Sequence, residues 1–194
     1  MCNLDSVARA VEECGGHPFV TEDPNKLKSA THIILPGVGA FPDAMSNIIH
    51  IGFDVAIKEQ VKSGEIPLLG ICLGMQLMAT KGYEISEVEG LNLIPGEVKR
   101  LKTLNKEERI PHIGWNEVVL QKECPLFHEI PSGKDFYFVH SFHFICDDNY
   151  IIAKTPYADG FVSVVGRDNI YGTQFHPEKS QKLGFAVLKN FLKL

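Results

Sequence analysis

The spacing of hydrophobic and polar positions divides the chain into recognisable elements. From Asn3 to Glu13, the apolar residues Leu4, Val7, Ala8, Ala10 and Val11 recur at helical spacing, and Gly15-Gly16 offers a C-cap, so a helix is expected there. His17 to Thr21 reads as a short strand. Thr31-His32-Ile33-Ile34-Leu35 predicts a buried strand ended by Pro36-Gly37-Val38-Gly39. Helices follow from Asp43 to Ile49 and from Phe53 to Ser63. Pro67-Leu68-Leu69-Gly70-Ile71 is then a strand that runs directly into a helix starting near Leu73.

Strands alternating with helices imply a mostly parallel central sheet covered by helices on both faces. The second half changes character. Short apolar runs at Glu97–Arg100, Glu117–Leu120, Tyr137–Phe144 and Ile151–Lys154 are separated by turn residues, which predicts an antiparallel elaboration of the same sheet. The chain closes with a strand from Ile170 to Phe175 and an amphipathic helix from Leu183 to Leu192. No repeat, linker or low-complexity segment interrupts it, so residues 1–194 read as a single α/β domain.

Composition narrows the function classes. Hydrophobic residues make up 44% and charged residues 22% of the chain, as in ordinary globular proteins, and the net charge of −5 argues against a nucleic-acid binder. No apolar run is long enough to span a bilayer and no signal peptide is recognisable, so the expectation is a cytoplasmic protein with no membrane association. The five cysteines (Cys2, Cys14, Cys72, Cys124, Cys146) are scattered and never spaced C-x-x-C, which speaks against a disulfide framework or a zinc site. Their plain reading is as small buried apolar residues. His112, His140 and His143 likewise read as polar residues at strand ends, not metal ligands, and no metal or cofactor is expected.

One cysteine has distinctive neighbours. Gly70-Ile71-Cys72-Leu73-Gly74 places Cys72 at a strand-to-helix turn with a glycine two residues away on each side, a nucleophile elbow with Cys in place of Ser. The turn strains the backbone and presents the side chain at the carboxyl end of a strand, against a helix N-terminus whose dipoles favour a thiolate. About a hundred residues later, Gly172-Thr173-Gln174-Phe175-His176-Pro177-Glu178 delivers His176 to the carboxyl end of another strand, where open α/β sheets place their sites. With a proline between them, His176 and Glu178 lie on one side of an extended backbone, so the carboxylate can orient the imidazole and the imidazole can serve Cys72.

These residues resemble a known family. G-I-C-L-G-M-Q followed by Q-F-H-P-E-K-S is similar to the triad-type (class I) glutamine amidotransferases, and within them to the HisH-type glutaminase subunits of imidazole glycerol phosphate synthase. L-P-G-V-G-A-F at 35–41, P-H-I-G-W-N at 111–116, F-Y-F-V-H-S at 136–141 and L-K-N-F-L at 188–192 extend the resemblance over almost the whole chain. It implies a flavodoxin-like fold and a Cys72-His176-Glu178 triad that releases ammonia from glutamine. Oxyanion donors would be the Leu73 N–H and the Gly37-Val38-Gly39 loop, worth about 3–4 kcal/mol each in comparable sites. It further implies Gln76, Glu84 and Ser141 as glutamine-binding residues. The partner it implies is a (β/α)₈-barrel cyclase forming a heterodimer; ammonia must leave toward it over the face carrying Cys72 and His176, which makes Trp115, Lys179 and Ser180 the interface candidates.

Two alternatives stay open at this point: a glutaminase feeding a sugar-aminating enzyme of surface polysaccharide synthesis, and a Cys-His peptidase or hydrolase of the same fold. Related subunits also open with a short apolar strand ahead of the first helix, and the sequence starts after that element, so the family's first strand is expected to be missing from residues 1–194.

Overall fold

The computed structural model describes residues 4–62, 64, 66–103 and 108–194. The first helix, α1 (Leu4–Glu13), buries Val7, Ala10 and Val11. It ends as its glycines foretell: Gly15 takes φ +91° and the Gly16 N–H closes onto the Val11 carbonyl. Asn3, its expected first residue, and Ser63, the expected end of the third helix, lie outside the described residues, as does Cys2.

At one end of the sheet, β1 (Ile33–Gly37), β2 (Leu68–Cys72) and β11 (Ile170–Thr173) run parallel in the order β1-β2-β11. The sheet then continues through β10 (Phe161–Arg167), β8 (Phe142–Ile145), β5 (Glu97–Arg100), β3 (Lys81–Gly82) and β4 (Val88–Glu89). Off this path, β9 (Ile151–Thr155) pairs with β10, β6 (His112–Leu120) with β9, and β7 (Lys134–His140) with β6. Apart from the parallel β3–β5 pair, everything beyond β11 is antiparallel. The expected mixed α/β architecture is present, with parallel pairing concentrated in the three strands that carry the site.

Helices cover both faces. On one, α1 and α5 (Gln181–Phe191) pack with Leu69 and Ile71 of β2. On the other, α2 (Phe41–Ile51) and α3 (Phe53–Lys62) pack with Leu68 and Ile33. Every residue of β2 is buried, which is why it reads as an unbroken apolar run. Burying each of its large aliphatic side chains contributes about 2 kcal/mol.

The structure differs from expectation at several elements. Residues 17–21 form no strand: Phe19 and Val20 are 50% and 60% exposed and no ladder neighbour lies alongside. β1 runs through Pro36 to Gly37 because it is an edge strand, where a missing N–H donor is tolerated. The expected Tyr137–Phe144 strand breaks at Ser141 into β7 and β8. Among the described residues, β1 has no strand on its outer edge, and beside it α1, residues 17–21 and α3 wall an apolar groove of about 900 Å³. No described helix is long and apolar enough to cross a membrane.

Candidate active site

Cys72 ends β2 and immediately precedes α4 (Leu73–Leu77), with φ 55° and ψ −109°. A non-glycine residue in that region is strained and persists only where its surroundings impose the conformation. Here the surroundings are glycines. A Cβ on Gly74 would overlap the Leu35 carbonyl oxygen, one on Gly70 would come within 2.7 Å of the Gly74 backbone, and one on Gly172 within 2.6 Å of Met75 Cγ. These contacts let α4 lie directly across β1, β2 and β11, which locks the turn and leaves Cys72 7% exposed.

His176 follows β11, and its backbone is tied at both ends. Its N–H donates to the Tyr137 carbonyl at 2.9 Å, and its carbonyl accepts from Ser180 Oγ at 2.7 Å. Ser180 Oγ in turn accepts from the Tyr137 N–H at 3.0 Å, so β7 and the start of α5 hold the histidine together. Phe175 beside it is fully buried against Phe136, with ring centroids 4.3 Å apart.

His176 Nδ1 lies 2.8 Å from Glu178 Oε1. The two side chains meet through a short 3-10 turn, Pro177–Lys179, where the sequence suggested extended backbone. Burial works against a charge on this imidazole, but the Cys72 sulfur and the Glu178 carboxylate outweigh it and raise the ring to about 9. Nε2 is buried and has no partner within hydrogen-bond distance.

Around this centre, Gly37 stands opposite Cys72 in the β1–β2 register, bringing the Gly37-Val38-Gly39 loop to the elbow. Gly39 takes φ +105° and Val38 is 38% exposed. Leu73 is the first residue of α4, where an N–H has no acceptor within the helix. Gln76 is buried and hydrogen-bonded to the Phe142 carbonyl and to Gln174. Glu84 Oε2 accepts from the Phe41 N–H at 2.8 Å, capping the N-terminus of α2. Ser141 is half-buried at the β7–β8 break, its carbonyl accepting from the Leu101 N–H.

The expected interface residues divide. Trp115 is 47% exposed and packs edge-on against Tyr137, and Lys179 Nζ lies 5.9 Å from the centre of the same ring. Ser180 is 1% exposed, its hydroxyl occupied inside the molecule. A groove of about 410 Å³ runs beside it between Trp115, Lys134 and Leu183.

The site thus joins a strained cysteine, a buried imidazole with raised basicity and a buried carboxylate at the carboxyl ends of adjacent parallel strands, an arrangement able to carry acyl transfer through a thioester. The family model for Glutamine amidotransferase class-I matches residues 6–194. The chain is a class-I glutamine amidotransferase. This amidotransferase is 47% identical over 192 residues to the imidazole glycerol phosphate synthase subunit HisH 1 of Campylobacter jejuni (strain RM1221), covering 99% of this chain and 95% of that one. It is 46% identical over 195 residues to subunit HisH of Moorella thermoacetica, covering 100% and 91%. Solved structures share the amidotransferase fold. One described as a glutamine amidotransferase aligns with a TM-score of 0.75 at 17% identity, covering 97% of this chain and 92% of that one. The acivicin-bound glutaminase domain of Trypanosoma brucei CTPS aligns with a TM-score of 0.65 at 16% identity, covering 97% and 85%.

The sequence reading missed Gln174, whose Nε2 lies 3.6 Å from Cys72 Sγ. The signal was available: on an extended strand end, residues 174 and 176 point the same way.

Proposed function

We infer that this amidotransferase is the glutaminase subunit of an imidazole glycerol phosphate synthase, hydrolysing glutamine to glutamate and ammonia for histidine biosynthesis. The observation that carries the chemistry is the His176–Glu178 pair, 2.8 Å apart and buried beside the strained Cys72. The identity to HisH subunits over nearly the whole chain supports the pathway.

The Cys72 thiol gives its proton to His176 Nε2, and the sulfur attacks the side-chain amide carbon of glutamine. The negative oxygen that forms is stabilised by the Leu73 N–H and by an N–H of the Gly37-Val38-Gly39 loop. The C–N bond breaks as His176 returns the proton to the leaving nitrogen, giving ammonia and a thioester. Water, deprotonated by His176, then cleaves the thioester to glutamate and restores the thiol. Glu178 holds the imidazole in one orientation throughout. Gln76 and Glu84 contribute to holding the substrate, and Ser141 lies next to Phe142, whose carbonyl orients Gln76.

Ammonia released into neutral water is protonated and loses its nucleophilicity, so it must pass directly to an acceptor enzyme. That partner is a (β/α)₈-barrel cyclase docked over the face carrying Trp115 and Lys179. The test is to supply the purified chain and such a cyclase, separately and together, with glutamine or with an ammonium salt. Glutamine-dependent cyclisation only in the mixture is the expected result. A mixture that hydrolyses glutamine without forming cyclised product would redirect the partner assignment to another acceptor.

A further inference from the structure

Cys72 Sγ has a polar neighbour outside the triad, Gln174 Nε2 at 3.6 Å. Which end of that amide faces the sulfur decides its chemistry, and a chain of hydrogen bonds dictates the answer. The Phe142 carbonyl can only accept, so the Gln76 atom 2.9 Å away must be the amide nitrogen. The same nitrogen lies 2.9 Å from the Gln174 amide, which therefore turns its oxygen to Gln76 and its nitrogen to the sulfur.

The Phe142 carbonyl is itself fixed by a second donor, His140 Nδ1 at 2.8 Å. With Nδ1 carrying the proton, His140 Nε2 accepts from His112 Nδ1 at 3.0 Å, and His112 Nε2 lies 3.4 Å from Asn116 Nδ2. Burial lowers His140 to about 3 and His112 to about 4, so both rings are neutral at pH 7 and keep these tautomers. Turning Gln76 over would set two buried acceptors face to face.

We propose that Gln174 is a catalytic residue of this centre: its side-chain N–H donates to the Cys72 sulfur and favours the thiolate. Gln76, the Phe142 carbonyl and the His112–His140 pair are positioning groups that keep the N–H pointed there. A donor to an anionic acceptor is stronger than one to a neutral acceptor, so the bond is worth most when the thiol proton has moved to His176 and again when the thioester releases its sulfur. It also occupies both amide hydrogens of Gln76, which is left with only its carbonyl oxygen to offer a substrate.

The proposal deepens the glutaminase reading, but its central test does not depend on it. The alkylation of Cys72 by iodoacetamide is followed by peptide mass spectrometry as a function of pH in the full chain, with folding checked by thermal unfolding. In Gln174→Leu the rate at pH 7 falls about tenfold and its rise moves about one pH unit higher. Gln174→Glu, which sets an acceptor against the sulfur, shows a larger loss. Gln76→Leu leaves Gln174 in place but frees it to turn, and shifts the profile in the same direction by less. The double variant matches Gln174→Leu alone, because both act through one bond. An alkylation profile unmoved in folded Gln174→Leu, or unmoved in Gln76→Leu should the first variant not fold, overturns the proposal. Normal profiles in a chain without glutaminase activity would count against the function and leave the sulfur contact standing.

Discussion

Glu178 Oε1 accepts from His176 Nδ1–H at 2.8 Å, with 3% and 1% of the two side chains exposed. Pairing a carboxylate with an imidazole inside the protein settles which ring nitrogen carries the proton, and so which nitrogen serves the sulfur. The Glu178→Gln variant keeps the shape and removes the charge. The His176 imidazole, raised to about 9 by Cys72 and Glu178 against the opposing effect of burial, then titrates lower. Because the raised ring stabilises the fold below its ordinary 6.5 and loses that contribution as pH rises through about 9, the variant's stability deficit is largest on the acid side of this window. Glutaminase turnover falls about a hundredfold or more. An NMR titration of His176 together with steady-state kinetics checks both.

The Cys72→Ala variant, assembled with the cyclase, forms no product from glutamine and still forms it from ammonium salts. In the proposed reaction Cys72 serves only the ammonia-generating half. Equal loss of both activities in an assembled complex would contradict that division.

Acid destabilises the chain through three buried or half-buried histidines. Burial lowers His112 to about 4, His140 to about 3 and His143 to about 4, from an ordinary 6.5. Below 6.5 the unfolded chain takes up protons that the folded chain refuses, so stability falls as pH drops through these values. The slope is roughly 1.4 kcal/mol per pH unit for each such group. Urea unfolding midpoints measured from pH 7 down to pH 4.5 should fall steadily, and His143→Asn should flatten the fall.

If the proposed cyclase docks here, Lys179→Glu and Trp115→Ala each weaken association with it about tenfold, or separate glutamine hydrolysis from product formation. Lys179 lies over the Tyr137 ring, which the exposed Trp115 ring meets edge-on. Titration calorimetry and the ratio of glutamate to cyclised product measure the two effects. Unchanged values in both variants would move the docking face elsewhere.

The outer edge of β1 presents backbone groups with no neighbouring strand among the described residues, next to the apolar groove of about 900 Å³. An added apolar strand of about five residues, fused ahead of α1, would pair that edge and fill the groove. The fused protein should melt about 5 °C or more above the chain of residues 1–194. Equal melting temperatures would show that this edge gains nothing from a partner.

The parallel half of the fold, the cysteine turn and the His176–Glu178 pair were legible because local signals there agree: buried strands read as apolar runs, and Gly70 and Gly74 flank the cysteine they accommodate. Long-range pairing was not. β10 is almost wholly buried in the middle of the sheet, yet nothing local in its Phe161–Arg167 run names the strands that flank it. Residues 17–21 have strand-like composition and lack the neighbour that would make them one. Glu84 and Ser180 were placed in functional regions, but their hydrogen bonds are set by partners 43 residues away, which no local spacing encodes. Gln174 is different: although its contact with Cys72 spans 102 positions, its place two residues before His176 on a strand end was a usable local signal.

The backbone of Cys72, held at φ 55° and ψ −109°, implies a way to recognise retired members of this lineage. Glycine is the residue that this conformation suits best, and once the thiol is no longer selected for chemistry nothing opposes its replacement. A descendant kept only as a docking or scaffolding subunit would therefore drift toward glycine at position 72 while retaining Gly70 and Gly74. Such a glycine would mark in sequence alone where the fold had outlived its reaction.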